Sequence, residues 1–249
     1  MASLKDERGY NQMFKPSEAM DIRTERRCDQ ILSEMRIMSD SQVSNNEECH
    51  VLEIGSGTGE LAALMALELA GISHITGSDI SLPFVEEATK RHQLPNLDFI
   101  KLDFNNPELL NDCKFDYIVG NGILHHFYDH LDETLTNIYE LLKPNGKMIF
   151  WEPNLYNPYC WLIFNTTKKM RKWANLEPNE MALRKSKIEK QINNTGFSNI
   201  NIKYMDFLPP NTPSWLINPT ITIGSGLEKI PFLRWLSQSL FISAQKMLK

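Results

Sequence analysis

Residues 51–59 read VLEIGSGTG, and ELAALMALELA follows at 60–70, closed by Gly71. A short apolar run, a loop with glycine at 55, 57 and 59, and a stretch with small and apolar residues on most faces predict strand, turn and helix in series. Glycine reaches positive φ and lets a backbone approach a ligand with no Cβ in the way. The helix N-terminus beyond the loop offers unpaired N–H groups to an anionic group. Taken alone, the loop could equally be a plain strand-to-helix turn.

Working outward, β-runs alternate with amphipathic helices from His50 onward. HITGSDI (74–80), LDFIKLDF (97–104), FDYIVGNG (115–122) and GKMIFWEP (146–153) read as strands. Residues 83–92 and LDETLTNIYELL (131–142) read as helices between them. Such alternation predicts a parallel sheet covered by helices on both faces, with any ligand at the carboxyl ends of the strands. After Pro153 the rhythm breaks for about forty residues, then a helix at 185–195, stopped by Gly196, precedes a strand at 199–207. The expected fold is α/β: a Rossmann-like, doubly wound, mostly parallel seven-stranded sheet with an antiparallel last strand, LFISAQKM (240–247), and helical cap insertions.

The expected organisation is a single domain over 1–249. An N-terminal helical cap spans 1–49, with its helix read at 21–35 on Ile22, Ile31, Leu32 and Met35 and a solvated linker at 39–48. A cofactor-binding core spans 50–155. Cap or substrate insertions span 156–184 and 209–238, and the remaining core elements are 185–208 and 239–249. The uncharged stretch 207–227 is broken by Pro209, Pro210, Pro213 and Pro219, so it reads as a loop or lid, not a membrane span. A net charge of −5 argues against broad nucleic-acid binding. Cys28, Cys49, Cys113 and Cys160 lie far apart, without metal or CxxC spacing, and read as reduced thiols of a cytoplasmic protein. The opening residues lack the apolar core of a secretory signal.

Spacing in the glycine loop separates two cofactor classes. A GxGxxG dinucleotide fingerprint needs Gly or Ala at position 60, where this chain has Glu60. A carboxylate there repels a pyrophosphate entering the helix. The pattern from Glu53 through Gly55, Ser56, Gly57 and Gly59 instead resembles the first motif of class I S-adenosylmethionine (SAM)-dependent methyltransferases. The likeness is to small-molecule enzymes of the kind found among cell-surface sugar and secondary-metabolite methyltransferases. It covers residues 50–155 well, with EPN at 152–154, NPYCW at 157–161 and DFLPP at 206–210 pointing to that subgroup.

The resemblance implies SAM as cofactor and further contacts at successive strand ends. Asp79 would accept the ribose hydroxyls with Ile80 beside it, and Asp103 and Phe104 would hold the adenine. Asn121 and Gly122 would contact the methionine portion, while Tyr10, Phe14 and Arg23 would close over the cofactor. Each residue alone also fits ordinary turn, cap or packing chemistry.

Transfer to oxygen or nitrogen calls for a base near neutrality. His126, then His125, follow the loop at 121–124, and Glu152 ends the fifth strand; these are the candidate catalytic residues. His126 and His130 stand four apart with no third ligand pattern, so no metal is expected. Trp151, Tyr156, Tyr159, Trp161 and Phe164, followed by Lys168, Lys169, Arg171 and Lys172, suggest an aromatic acceptor pocket with a basic rim. The expected partner is a small or lipid-linked acceptor, without nucleic acid or a transmembrane segment. Phe232, Leu233, Trp235 and Leu236 are read as core packing or as a peripheral membrane contact. A non-catalytic SAM-binding protein and an NAD-dependent oxidoreductase stand as alternatives. The oligomeric state is left open.

Overall fold

The computed structural model describes residues 5, 17–42, 48–107, 110, 113–167, 169, 171, 176–177 and 179–247. Its centre is a seven-stranded sheet. The strands are β1 (Cys49–Ile54), β2 (Ser73–Asp79), β3 (Leu97–Lys101), β4 (Phe115–Asn121), β5 (Leu142–Pro153), β6 (Ser198–Met205) and β7 (Ser239–Gln245). They lie in the order β3-β2-β1-β4-β5-β7-β6. β1 to β5 pair in parallel, whereas β7 runs antiparallel to both β5 and β6. The chain reverses direction across the sheet between β1 and β4, a switch point where ligands of such sheets bind. This is the expected mostly parallel sheet with its antiparallel last strand.

Each face carries one apolar layer. On one side α4 (Leu131–Leu141) and α6 (Lys185–Thr195) bury Leu135, Ile138, Ile188 and Ile192 against Leu52, Ile118, Phe150 and Ile242. On the other, α1 (Glu18–Gln42) and α2 (Glu60–Glu68) bury Ile31, Leu32 and Met65 against Val51, Val119, Ile149 and Phe241. Two-sided burial explains why the central strands read as nearly continuous apolar runs.

α1 is longer than its sequence suggests, continuing to Gln42 through part of the expected linker; residues 43–47 lie outside the described set. Its packing is fixed by polar anchors. Lys147 Nζ donates to Glu34 Oε1 at 3.0 Å, and Tyr117 Oη to Met35 O at 3.1 Å. The helix is therefore a layer of the sheet, and its N-terminal half, with Met20, Arg23, Thr24 and Arg27, borders the ligand cavity.

The reading of 207–227 as a loop is corrected over its second part by helix α7 (Ser214–Leu227), which carries Pro219 inside it. Proline at that point costs about one backbone hydrogen bond. Burial of Ile217 against Ala19 and Leu208, and of Gly224 beside Phe207, offsets that loss. In the first insertion, α5 (Pro158–Phe164) is capped by Asn157, whose Oδ1 accepts from the Tyr159 and Cys160 amides at 3.0 and 3.1 Å. α3 (Leu82–Arg91) links β2 to β3.

Candidate active site

The carboxyl ends of β1, β2, β4 and β5 open into one cavity of about 960 Å³. Gly55, Gly57 and Gly59 all adopt positive φ, at 68°, 54° and 88°. A side chain at Gly55 would strike Ile123 at 2.5 Å, while a Cβ at Gly57 would meet nothing within 4 Å. The first glycine thus admits a neighbouring loop, and the second keeps a backbone edge clear.

Asp79, at the end of β2, is held by that loop: Oδ2 accepts from the Gly57 amide at 2.9 Å and Oδ1 from the Ser81 amide at 2.8 Å. Ile80 follows it, 43% exposed on the cavity wall. Asp103 and Phe104 lie just beyond β3, not within it. Asp103 is exposed and accepts from the Asn105 amide at 3.0 Å, whereas Phe104 is buried against Phe127. Both line the cavity. Asn121 ends β4, and Gly122, at φ 74°, donates its amide to Trp151 O at 2.6 Å. Tyr10 and Phe14 lie outside the described residues.

Charge is distributed unevenly around the cavity. Glu53 is buried, and burial first, then the nearby Glu60 carboxylate, pushes its pKa up to about 8. Across from the glycine loop, Arg23 Nε and Arg27 Nη2 share Asp206 Oδ2 at 3.0 and 2.9 Å. Arg27 Nη1 also donates to Asn121 Oδ1 at 2.6 Å, which ties α1 to the end of β4. Burial lowers the Arg27 pKa to about 10, with Arg23 adding to the effect. Burial alone would raise Asp206, but the two guanidinium groups outweigh it and hold that carboxyl at about 2.

Glu53 Oε2, Ser56 Oγ and Arg27 Nε are buried without a hydrogen-bond partner among the described residues, and all three residues line the cavity. Native proteins rarely leave such atoms unmet. One unmet acceptor on a carboxylate, one hydroxyl and one unmet cationic donor fit the ammonium and carboxylate of an amino-acid moiety. SAM carries both, so this donor and acceptor set fits it.

At the mouth of β4 and β5, Glu152 organises a turn. Its Oε1 accepts from the Ile123 and Leu124 amides at 2.9 and 2.7 Å. Its Oε2 accepts from the His125 amide at 3.1 Å and lies 2.9 Å from His125 Nδ1. Both side chains are buried. The second histidine has a different partner: His126 Nδ1 lies 3.0 Å from Glu180 Oε1, and His125 Nε2 lies 3.8 Å from the same oxygen. Burial opposes the charged form of His126, yet Glu180 outweighs it and raises the pKa above the usual imidazole value. Glu180 is lowered in return: its own burial opposes ionisation, but the His126 hydrogen bond and charge prevail. The side-chain atoms of His125, His126 and Glu180 lie within 4.8 Å of one another, close enough to hold a cation.

Sequence reasoning singled out Glu53, Gly55, Gly57, Asp79, Arg23, both histidines and Glu152, which line one cavity, and Gly59, which is not part of its wall. It missed Arg27, Asp206 and Glu180. Arg27 stands one helical turn after Arg23, a spacing that marks a shared face; Glu180 carries no local pattern at all.

Residues 45–207 match the family model described as a methyltransferase domain. Among curated proteins, the chain is 35% identical over 130 residues to the highly reducing polyketide synthase pspA of Penicillium soppii. That match covers 48% of this chain and 5% of the relative. It is 29% identical over 172 residues to the lovastatin diketide synthase mokB of Monascus pilosus, covering 65% of this chain and 7% of the relative. The chain therefore spans a small fraction of the curated relatives it matches. Among solved structures, CurJ carbon methyltransferase superposes with TM-score 0.63 at 19% identity, over 95% of this chain and 57% of that one. Haemonchus contortus phosphoethanolamine N-methyltransferase 2, solved with SAM, gives 0.57 at 17% identity, over 81% and 49%. The dinucleotide oxidoreductase alternative falls with the family match. With the glycine loop, the sheet order and the family model in agreement, this chain belongs to the methyltransferase-domain family and is a SAM-dependent methyltransferase.

Proposed function

We propose that this chain methylates a small or lipid-linked acceptor at an atom that must first lose a proton, with His125 as the base and Glu152 as its positioning partner. The observation that carries this reading is the buried pair of His125 Nδ1 and Glu152 Oε2, 2.9 Å apart at the cavity wall. A carboxylate on Nδ1 fixes the N–H there and leaves Nε2 to accept a proton. The Glu180 carboxylate, 3.8 Å from Nε2, then stabilises the imidazolium that forms. His126, its charged form already favoured by Glu180, is the poorer base at neutral pH.

When bound, SAM supplies an electrophilic methyl group on a sulfonium. The chain's work is alignment and proton removal. Glu53 and Ser56 would hold the ammonium end of its amino-acid moiety, and Arg27, supported by Arg23, its carboxylate. Asp79 would accept the ribose hydroxyls, Ile80, Asp103 and Phe104 would bound the adenine, and Asn121 and Gly122 would flank the methionine portion. Tyr10 is assigned the closing role that the family resemblance implies. Within 1–49, the N-terminal half of α1 joins the 156–184 and 209–238 insertions as the cap over a 50–155 core completed by 185–208 and 239–249, and the chain works in the cytoplasm.

A hydroxyl oxygen and a carbon flanked by carbonyls both need such a base. The names of the polyketide synthase relatives and of the carbon methyltransferase favour the activated carbon. Oxygen or nitrogen is the second reading, supported by the polar wall of Glu177, Asn179 and Glu180. Incubation with methyl-labelled SAM and either a β-ketoacyl thioester or its β-hydroxy counterpart separates the two, with the methylated atom located by NMR. In the favoured reading the thioester gains its methyl on carbon, and His125→Ala lowers turnover by roughly 10²–10⁴-fold while S-adenosylhomocysteine still binds. Undiminished turnover in that variant refutes the base assignment.

A further inference from the structure

The exposed apolar surface is not scattered. Among the described residues, most of the large hydrophobic side chains that face solvent fall in two stretches, 156–162 and 215–235. Phe232 is 82% exposed, Trp215 75%, Trp161 57% and Tyr159 55%. The stretches meet in space: the Tyr156 and Trp235 rings pack edge to face at 6.4 Å, and Asn157 Nδ2 donates to Leu236 O at 2.6 Å. Monomeric proteins seldom leave contiguous apolar surface of this kind unless something covers it.

Charge identifies the cover. Residues 156–176 hold no acidic residue; of the described basic residues there, Lys169 faces solvent, whereas Arg171 donates to the Phe164, Glu177 and Glu180 carbonyls. Residues 207–238 contain Lys229, Arg234 and a single acid, Glu228. Glu228 is turned inward, accepting from the Asp206 amide at 2.8 Å. Lys169, Lys229 and Arg234 are exposed. In a chain of net charge −5, these two stretches expose three cations together with Trp161, Trp215 and Trp235. Tryptophan and tyrosine favour the headgroup level of a bilayer, and neighbouring lysine and arginine favour anionic lipid. The same segments reach the cavity: Tyr159 and Ile163 of α5, with Pro210 and Asn211 before α7, form part of its wall.

We propose that the surface formed by α5 and the 214–236 segment docks peripherally on an anionic lipid bilayer, placing the cavity mouth at the headgroup level. No helix among the described residues is long and apolar enough to cross a membrane, so the contact is interfacial. The inference stands apart from the methyl-transfer chemistry, since membrane affinity is read without turnover.

The test is sedimentation of the full chain with vesicles of phosphatidylcholine alone or with one-third phosphatidylglycerol, at low and high salt. Three proteins are compared: wild type, Trp161→Ser/Phe232→Ser, and Lys169→Glu/Lys229→Glu. S-adenosylhomocysteine affinity and thermal unfolding confirm that each is folded. The docking surface predicts binding to the anionic vesicles, at least tenfold weaker to neutral ones, and at least tenfold weaker for either variant. Quenching of tryptophan fluorescence by brominated lipid should accompany binding and be reduced in Trp161→Ser/Phe232→Ser. Absence of binding to anionic vesicles, or equal binding by all three proteins, overturns the proposal. Concentration-dependent self-association that the aromatic variant abolishes, without lipid binding, overturns it in favour of a second copy of the chain.

Discussion

Glu152→Gln is a sharp perturbation because it keeps shape and removes one acceptor. In the wild type, four N–H groups converge on the carboxylate, two on each oxygen. In the variant, the side-chain amide oxygen can keep the Ile123 and Leu124 amides. The new NH₂ then faces the His125 amide and Nδ1–H, donor against donor. The His125 amide is left unmet, and the imidazole must shift its proton to Nε2 to accept from the NH₂. Leaving one or two buried donors unmatched costs about 2–4 kcal/mol, which lowers Tm by roughly 4–16 °C for a chain of this size. The tautomer change removes the acceptor on Nε2, a defect that costs enzymes with a histidine base about 10⁴-fold at most. Urea unfolding measures the first effect, and initial rates with methyl-labelled SAM measure the second. The variant should be folded at 25 °C, bind S-adenosylhomocysteine within a few-fold of wild type, and lose at least 10²-fold in turnover. Turnover within threefold of wild type would refute the tautomer argument.

Two pH predictions follow from the ion pairs. Asp206 is held at about 2, below its ordinary 3.8, so it stabilises the fold above pH 3.8 and loses that contribution as pH falls through 2. Asp206→Asn should cost at least about 2 kcal/mol at pH 7 by urea unfolding, and the gap from wild type should narrow below pH 3.8. His126 is raised above 6.5, so its pairing with Glu180 is fully present below pH 6.5 and fades as pH climbs through the folded-state value. His126→Gln should therefore destabilise more at pH 6 than at pH 9 by the same assay; a pH-independent difference would remove the charged pair from the account.

The sheet was legible because its strands are buried on both faces and its turns carry glycine: VLEIG and FDYIVGNG declare themselves locally. The same holds for Asp79, whose position at a strand end follows from the element pattern. α7 escaped because Pro219 outweighs the apolar spacing when only sequence is read, whereas Ile217 and Gly224 pack well enough to carry the helix. Arg27 and Asp206 are 179 residues apart and meet only once α1 lies beside the end of β6. Glu180 gains its role from the two histidines that the turn after β4 brings to it. Long-range electrostatic partners have no local signature, which is why the cofactor loop was easier to find than the groups that charge it.

The most direct test of the cofactor site is calorimetric titration of wild type and Glu53→Gln with S-adenosylhomocysteine at pH 7, in buffers of differing ionisation heat. Glu53, raised to about 8 by burial, is largely protonated before binding. An ammonium brought to its unmet oxygen favours the carboxylate and expels the proton. The account predicts saturable binding with net proton release by wild type, and weaker binding without that release by the variant. Absence of saturable binding, or the same affinity and proton count in both proteins, would contradict it.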